Sequence, residues 1–211
     1  MRFITGLLYR SIIKRILFLF SADSVHEFFL RSGNSIGKSK LLRKIIEKSW
    51  SYKNSVLQQN ICNLNFTNPI GLSAGFDYDA DLVDILPSVG FGFSTIGTLT
   101  HEPYDGNSPP MLGRLPKSKS LLVNKGFKNK GVKKVLKKLN PNATAMIRGV
   151  SIGATNKAYQ DLTLMLTDLI LSFVEAETFS NFDYYELNIS CPNVTNINNV
   201  SNLISSPIGL R

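Results

Sequence analysis

Hydrophobic and polar residues alternate along the first 20 positions with the period of an α-helix. Ile4, Leu8, Ile12 and Ile16 recur every four residues, so they share one face of such a helix. Four basic residues interrupt the segment, whereas a membrane-spanning helix needs about 20 largely uncharged apolar residues. The pattern therefore predicts an amphipathic helix lying in a membrane interface. The alternatives are a helix packed on its own domain and a signal peptide, although no small-residue cleavage site follows Phe20.

Two more helices are predicted before residue 55. Ser24, with Glu27 three residues later, has the pattern of a capping box, and Gly33 can end the helix that follows. A third, basic helix is predicted around Ser39–Lys48. Residues 1–55 are therefore predicted to form a small helical region that associates with a membrane.

Beyond residue 56 the pattern changes to a hairpin and then to short strands that alternate with helices. The strands are predicted at Pro69–Gly75, Phe93–Thr98, Met146–Gly153 and Tyr184–Ser190. The helices between them are predicted around Asp81–Val89, Lys130–Leu139 and Gln160–Glu175, with a loop over Leu99–Lys119. Alternating strands and helices predict an α/β fold with a parallel sheet, either doubly wound or closed into an eight-stranded barrel. A complete barrel takes about 250 residues, so residues 56–211 leave room for about half of one.

The net charge of +9 lies almost entirely in the N-terminal region. Residues 1–60 hold 11 Lys and Arg against 3 Asp and Glu, whereas residues 61–211 hold 13 against 12. A basic region suggests nucleic acid or a membrane surface as its partner, and the aliphatic content of residues 1–20 favours the membrane. The basic Lys130–Lys138 segment has helical spacing and is interpreted as a solvated face, so no nucleic acid partner is expected.

Only two cysteines, Cys62 and Cys191, are present. Two distant cysteines fit neither a disulfide framework nor a zinc site, which indicates a reducing compartment. His26 and His101 are too isolated to form a metal site, so no metal is expected.

The segment Tyr185–Val194 concentrates the chemistry of the chain. It closes a predicted strand with two asparagines, a serine and a cysteine. Side chains at the C-terminal ends of barrel strands face the active site, and a buried asparagine is costly unless its amide is paired. The segment therefore predicts a ligand site, with an inert core cysteine as the alternative.

Four motifs, in order, resemble the dihydroorotate dehydrogenase family. They are Asn65–Asp77, Gly90–Thr98, Arg114–Leu115 followed by Leu122–Phe127, and Asn188–Asn193. The earlier segment Ser21–Phe29 resembles the helical extension of the membrane-associated, quinone-using class of that family. A cysteine at the position of the catalytic base, Cys191, is instead typical of its soluble classes.

The resemblance implies a (β/α)8 TIM barrel with bound FMN, of which residues 56–211 form about the first half. It assigns contacts with FMN to Ala74, Gly75, Thr98, Ser151 and Asn188. It assigns contacts with the substrate to Asn124, Gly126, Phe127, Asn188 and Asn193. It implies that the substrate loses a proton from C5 to Cys191 and a hydride from C6 to the flavin. A thiolate is the reactive form, and a nearby cation such as Lys125 would favour it.

The implied activity is the oxidation of dihydroorotate to orotate in pyrimidine biosynthesis, with quinone as acceptor, at the inner, cytoplasmic face of a membrane. A second chain or a C-terminal half would complete the barrel. Tyr78 stands where the family has a lysine, and Lys125 could compensate for it. This difference keeps open an FMN-dependent barrel oxidoreductase for another pyrimidine or an enone. The third alternative is an inactive half-barrel that retains only membrane-surface binding.

Overall fold

The computed structural model describes residues 2–139, 146–179 and 182–195. The first helical stretch consists of α1 (Arg2–Leu8), a π-helical turn (Tyr9–Ile13) and α2 (Lys14–Leu17). Its predicted apolar face is between 44% and 68% exposed at Ile4, Leu8, Ile12 and Ile16, so these side chains are not buried against the rest of the protein. Within the described ranges, no helix combines the length and the apolar character that crossing a bilayer requires.

The second helix, α3 (Ala22–Gly37), begins earlier and ends later than predicted. Its N-cap is Ser21, whose hydroxyl accepts a hydrogen bond from the Ser24 backbone N–H at 3.1 Å, so the capping-box prediction for Ser24 was wrong. Gly33 does not end the helix, which continues to Gly37; Gly33 is instead a point of close approach to Leu82. A Cβ atom at position 33 would clash with a Leu82 methyl carbon. The third helix, α4 (Lys40–Trp50), is capped by Ser39 and confirms the prediction.

The strands of the remaining chain follow the prediction, with two strands added that form one hairpin. In chain order they are β1 (Gln59–Ile61), β2 (Leu64–Phe66), β3 (Gly71–Leu72), β4 (Phe93–Leu99), β5 (Leu112–Leu115), β6 (Ser120–Val123), β7 (Ile147–Ile152) and β8 (Tyr184–Leu187). The helices among them are α5 (Leu86–Val89), α6 (Val132–Lys138) and α7 (Leu162–Phe179). Strand β5 pairs antiparallel with β6 in a hairpin, part of which was predicted as loop.

The segment before α5 is a turn rather than the start of a helix. The Asp77 carboxylate accepts hydrogen bonds from the backbone N–H groups of Asp81 and Leu82, at 2.7 and 2.9 Å. This local cap stabilises a turn, so the helix predicted from Asp81 is confined to Leu86–Val89.

The main sheet decides between the two architectures that the sequence left open. Within the described residues it has four strands, all parallel, in the order β3-β4-β7-β8, which is their order along the chain. A doubly wound sheet reverses its strand order at a switch point, whereas a barrel adds each new strand beside the previous one. The sheet is therefore the first half of a TIM barrel, as predicted.

Two apolar clusters hold this architecture together. The first joins β4 and β7 to the inner faces of α6 and α7 through ten buried residues, among them Ile96, Leu99 and Val150. The second joins α3 to the segment between β3 and β4, and it contains Leu30 and Tyr78. Burial in these clusters fixes the positions of α3, α6 and α7 relative to the sheet.

Candidate active site

Three polar side chains from three adjacent strands meet at the carboxyl edge of the sheet. The Thr98 and Ser151 hydroxyl oxygens lie 3.0 Å apart, and the Asn188 side-chain amide donates to Thr98 Oγ1 at 2.8 Å. Thr98 is 5% exposed and Ser151 is fully buried. The backbone N–H of Asn188 also donates to Ile152 O at 2.8 Å, which extends the β7–β8 ladder to this residue. The structure thus brings together three of the five residues predicted to contact a cofactor.

The other two, Ala74 and Gly75, lie in the loop after β3 and beside the end of β4. The Gly75 backbone N–H donates to Gly97 O at 2.7 Å, one residue before Thr98. Gly75 has a φ of +97°, and a Cβ added to it would meet no atom within 4 Å. Open space therefore borders the loop on this side, next to the hydroxyl groups of the sheet edge.

Four asparagines form a second polar group, the amide cluster, consisting of Asn107, Asn124, Asn156 and Asn193. The side-chain amide of Asn107 donates to Asn124 Oδ1 at 2.8 Å and to the backbone carbonyl of Asn193 at 2.9 Å. Asn156 donates to the carbonyl of Gly126 at 3.1 Å. The amide cluster therefore joins the loop Asn124–Phe127 to the segment after β8. That Asn124 and Asn193 contact a ligand stays a prediction.

Phe127 connects the amide cluster to the end of the sheet. A Cβ atom at Gly153 would lie 2.7 Å from Phe127 Cε2 and 3.0 Å from Thr98 Cγ2. The Phe127 ring therefore packs directly over Gly153 and beside Thr98, and only glycine leaves room for it.

Cys191 is half-buried and carries a free thiol. It lies in the chain between Asn188, at the sheet edge, and Asn193, in the amide cluster. The Asn188 side-chain oxygen accepts a hydrogen bond from the Ser190 backbone N–H at 3.4 Å, within the turn that precedes Cys191. The short segment 188–193 therefore contributes to both polar groups.

A charged group from α3 lies against the loop Asn124–Phe127. The Lys125 amine lies 3.0 Å from His26 Nδ1 and 4.5 Å from the centre of the Tyr78 ring. The Tyr78 hydroxyl donates to Glu27 at 2.5 Å, and Lys128 approaches the same carboxylate at 3.3 Å. The Tyr78 hydroxyl is thus directed toward α3. At this position, in the loop after β3, the chain therefore places a phenol against the helix and no cation in the candidate active site.

Burial changes the protonation of this charged group. It lowers the pKa of Lys125 to about 8, with a further contribution from the charge of Lys128. Burial and the Lys125 charge together lower the pKa of His26. Burial and the hydrogen bond to Glu27 raise the pKa of Tyr78. At neutral pH, neutral His26 and protonated Lys125 are the forms compatible with their hydrogen bond.

Sequence reasoning missed Asn107 and Asn156. Asn156 is 6% exposed, and its side-chain oxygen accepts from both the backbone N–H and the hydroxyl of Thr195, at 2.9 and 3.0 Å. The signal was available for Asn156, because it follows β7 in the way that Asn193 follows β8. Asn107 lies in a loop rich in proline and glycine, where no local pattern distinguishes it.

Lys125 was expected to favour the thiolate form of Cys191. In the part of the chain that the structure describes, no hydrogen bond joins Lys125 to Cys191, and the Lys125 amine lies beside His26 Nδ1 instead.

The described residues contain no cluster of three or more His, Cys, Asp or Glu that could hold a metal ion. The prediction that no metal binds stays a prediction.

Comparison with known proteins identifies relatives of this arrangement. The profile of the family described as "Dihydroorotate dehydrogenase" matches residues 56–204. A Trichodesmium erythraeum protein named dihydroorotate dehydrogenase (quinone) is 36% identical over 76% of this chain and 43% of its own length. A protein of the same name from Christiangramia forsetii is 34% identical over 90% of this chain and 54% of its own length. Another from Chloroflexus aurantiacus is 35% identical over 89% of this chain and 52% of its own length.

Solved structures give the same result. A crystal structure of DHODH from Eimeria tenella in complex with ferulenol has a TM-score of 0.60 and 25% identity, covering 78% of this chain and 46% of that chain. A crystal structure of ligand-free DHODH from the same organism has a TM-score of 0.62 and 26% identity, and the match covers 76% of this chain and 48% of that chain. The chain spans about half the length of the curated relatives it matches. With a family profile that matches most of its residues and relatives that are more than 30% identical over most of its length, the chain belongs to the dihydroorotate dehydrogenase family.

Proposed function

We propose that residues 56–211 supply the first half of the active-site barrel of an FMN-dependent dihydroorotate dehydrogenase, which oxidises dihydroorotate to orotate in pyrimidine biosynthesis. The observation that carries the proposal is the hydrogen-bonded group of Thr98, Ser151 and Asn188. It lies where a barrel places its chemistry, at the carboxyl ends of adjacent strands. Residues 196–211 of this half lie outside the described residues.

The residues at the sheet edge fit the polar rim of a flavin. Hydroxyl and amide groups at Thr98, Ser151 and Asn188 can donate to and accept from its ring nitrogens and carbonyls. The open space beside Gly75 leaves the backbone of that loop accessible to a planar ring. Ala74 and Gly75 would therefore hold FMN through backbone groups, and the three side chains through hydrogen bonds. When bound, FMN supplies the acceptor for the hydride that leaves C6 of the substrate.

Cys191 and the amide cluster act on the substrate in this proposal. The Cys191 thiolate takes the proton from C5 and becomes a thiol. Asn124, Asn188 and Asn193 orient the pyrimidine ring and its carboxylate through their amides, while Gly126 and Phe127 shape the loop beside them. A positioned general base typically contributes about 10²- to 10⁴-fold to a rate, so most of the proton-transfer chemistry would depend on Cys191.

The buried position of Tyr78 favours a second candidate function. With its hydroxyl directed to Glu27, Tyr78 leaves Lys125 as the cation of the neighbouring loop. If Lys125 remains with His26 and Lys128 with Glu27, neither lysine of this loop region is left for a carboxylate within the described residues, and the site suits a neutral pyrimidine or an enone. Orotate and a neutral pyrimidine, titrated separately against the flavin absorbance, would distinguish the two functions.

Quinone is proposed as the electron acceptor, and the helical region 1–55 as the part that binds the inner, cytoplasmic face of a membrane. The relatives' printed names specify quinone. The exposed apolar side chains of α1 and α2 are accompanied by others on α3, including Phe28 at 60% and Phe29 at 45% exposure. Apolar side chains beside many basic residues suit the boundary between acyl chains and anionic headgroups.

The test is to express the 211-residue chain alone and together with the C-terminal half of the Chloroflexus aurantiacus relative. Barrels of this kind usually hold phosphate in the loops after strands seven and eight, and the described sheet has four parallel strands. The chain alone should therefore bind little FMN. The complex of the two halves should be yellow with bound FMN and should transfer electrons from dihydroorotate to quinone. Stoichiometric FMN on the chain alone would contradict the half-barrel proposal. Vesicle binding without flavin in either preparation would favour the inactive half-barrel.

A further inference from the structure

A basic cavity lies at the end of the sheet opposite the candidate active site. It has a volume of about 530 Å³ and is bounded by α4, by the segment after α4 and by the residues that precede β3 and β4. Lys40, Arg43, Lys44 and Glu47 line one of its walls. Their spacing of three and four residues places them on one face of α4.

Positive charge predominates in this cavity. Its lining contains four cationic side chains, Lys40, Arg43, Lys44 and Lys53, against two carboxylates. Lys53 pairs with Glu47 at 2.5 Å. Among the described residues, the other three cations form no ion pair with a carboxylate. The excess charge is therefore available to a ligand.

Arg43 adds a second, independent observation. Its Nε atom is buried and has no hydrogen-bond partner among the described residues. A buried donor without an acceptor destabilises the fold, and the cost is larger when the group is charged. An anionic acceptor inside the cavity would remove this cost.

We propose that this cavity binds a phosphate group, with Arg43 as its principal ligand and Lys40 and Lys44 beside it. The planar guanidinium matches the geometry of phosphate oxygens and can form paired hydrogen bonds with them. The volume lies within the range of about 300 to 1,000 Å³ that small-molecule sites occupy, so the phosphate can carry an organic group. The proposal does not depend on the dehydrogenase activity, because the cavity contains none of the active-site residues.

The phosphate can belong to a lipid headgroup or to a soluble molecule. Leu41 and Ile45 are 68% and 55% exposed on α4, next to the basic face, where the acyl chains of a lipid would lie. A soluble phosphate would use the same cations without these apolar side chains. The recognition chemistry is the same in both cases, and the experiment separates the sources.

The test uses the full 211-residue chain and two kinds of probe. Binding of inorganic phosphate and glycerol 3-phosphate is measured by calorimetry, with acetate as the non-phosphate anion. Binding to phosphatidylcholine vesicles is measured by co-sedimentation, with and without phosphatidic acid. The variants are Arg43→Gln and Lys44→Gln, and the matched control is Lys48→Gln, which removes one exposed charge from the same helix outside the cavity.

Arg43→Gln should weaken phosphate binding about tenfold or more, as expected for the loss of a hydrogen bond to a charged group. Lys44→Gln should have a smaller effect, and Lys48→Gln less than about twofold. This pattern with the soluble probes supports a soluble ligand, and the same pattern only with phosphatidic acid vesicles supports a lipid. Equal effects of Arg43→Gln and Lys48→Gln, equal binding of acetate, or no binding of any phosphate probe would overturn the proposal.

Discussion

The Lys125 amine lies 3.0 Å from Nδ1 of His26, a contact between the loop of the candidate active site and α3. Nε2 of the same ring lies 2.9 Å from the carbonyl oxygen of Phe76. Because a carbonyl only accepts, Nε2 carries the proton and Nδ1 is left to accept from Lys125. The neutral imidazole therefore links the helical region to the loop Asn124–Phe127.

The lowered pKa of Lys125 predicts a specific pH dependence of stability. Its folded-state pKa of about 8 lies below the ordinary 10.5, so between these values the unfolded chain binds the proton and the folded chain does not. The free energy of unfolding should therefore rise with pH in this window. Lys125→Met should lack this rise, as measured by urea unfolding at several pH values from about 7.5 to 10.5.

The matched control for this measurement is Lys134→Met, which removes an exposed lysine on α6. It should keep the pH dependence of the wild type. Parallel curves for the wild type and Lys125→Met would show that Lys125 is not the group responsible.

Asn156 should stabilise the amide cluster. Asn156→Ala leaves the carbonyl of Gly126 and the backbone N–H of Thr195 without their partner, at a cost of about 1 to 3 kcal/mol. Asn65→Ala, which removes an exposed hydrogen bond in the β1–β2 hairpin, should cost at most about 0.5 kcal/mol. Urea unfolding measures both values, and an equally small loss in the two variants would contradict a structural role for Asn156.

Cys191 should be required for reduction of the flavin in the completed barrel. Cys191→Ala should slow the reductive half-reaction with dihydroorotate by about 10²- to 10⁴-fold while FMN stays bound, because it removes the proposed base. Cys191→Ser should keep part of the rate. Cys62→Ala changes the other, exposed cysteine and should leave the rate unchanged. Stopped-flow absorbance of the flavin provides the rates. An unchanged rate of flavin reduction in Cys191→Ala would exclude this residue as the base.

The apolar face of the first helix should bind vesicles that contain anionic lipid. Ile12→Gln combined with Ile16→Gln should weaken co-sedimentation at least tenfold, because burial of one such side chain contributes about 1.5 to 3 kcal/mol. Ser11→Gln, on the same exposed helix, should have little effect. Salt should weaken the electrostatic part of the binding and leave the apolar part. Equal binding of the intact chain and of a chain that starts at Ser21 would contradict interfacial attachment.

The sequence by itself determined the order of the elements, the family and the residues at the strand ends. Periodicity is a local property, so the strands at Phe93–Thr98 and Tyr184–Ser190 and the helix from Ser39 were predicted close to their observed positions. The motif around Asn188 and Cys191 was predicted as a ligand site because asparagines on both sides of a Cys-Pro turn are better explained as hydrogen-bond donors to a ligand than as packing residues.

Tertiary structure decided which of these residues meet. Repeated strands and helices are compatible with two sheet topologies, and only the observed strand pairing selects the barrel. The contact of Lys125 with His26, the packing of Tyr78 against α3 and the hydrogen bonds of Asn107 all join segments that are far apart in the chain. No local pattern specifies such contacts, because they arise from the burial of apolar surface by several elements at once.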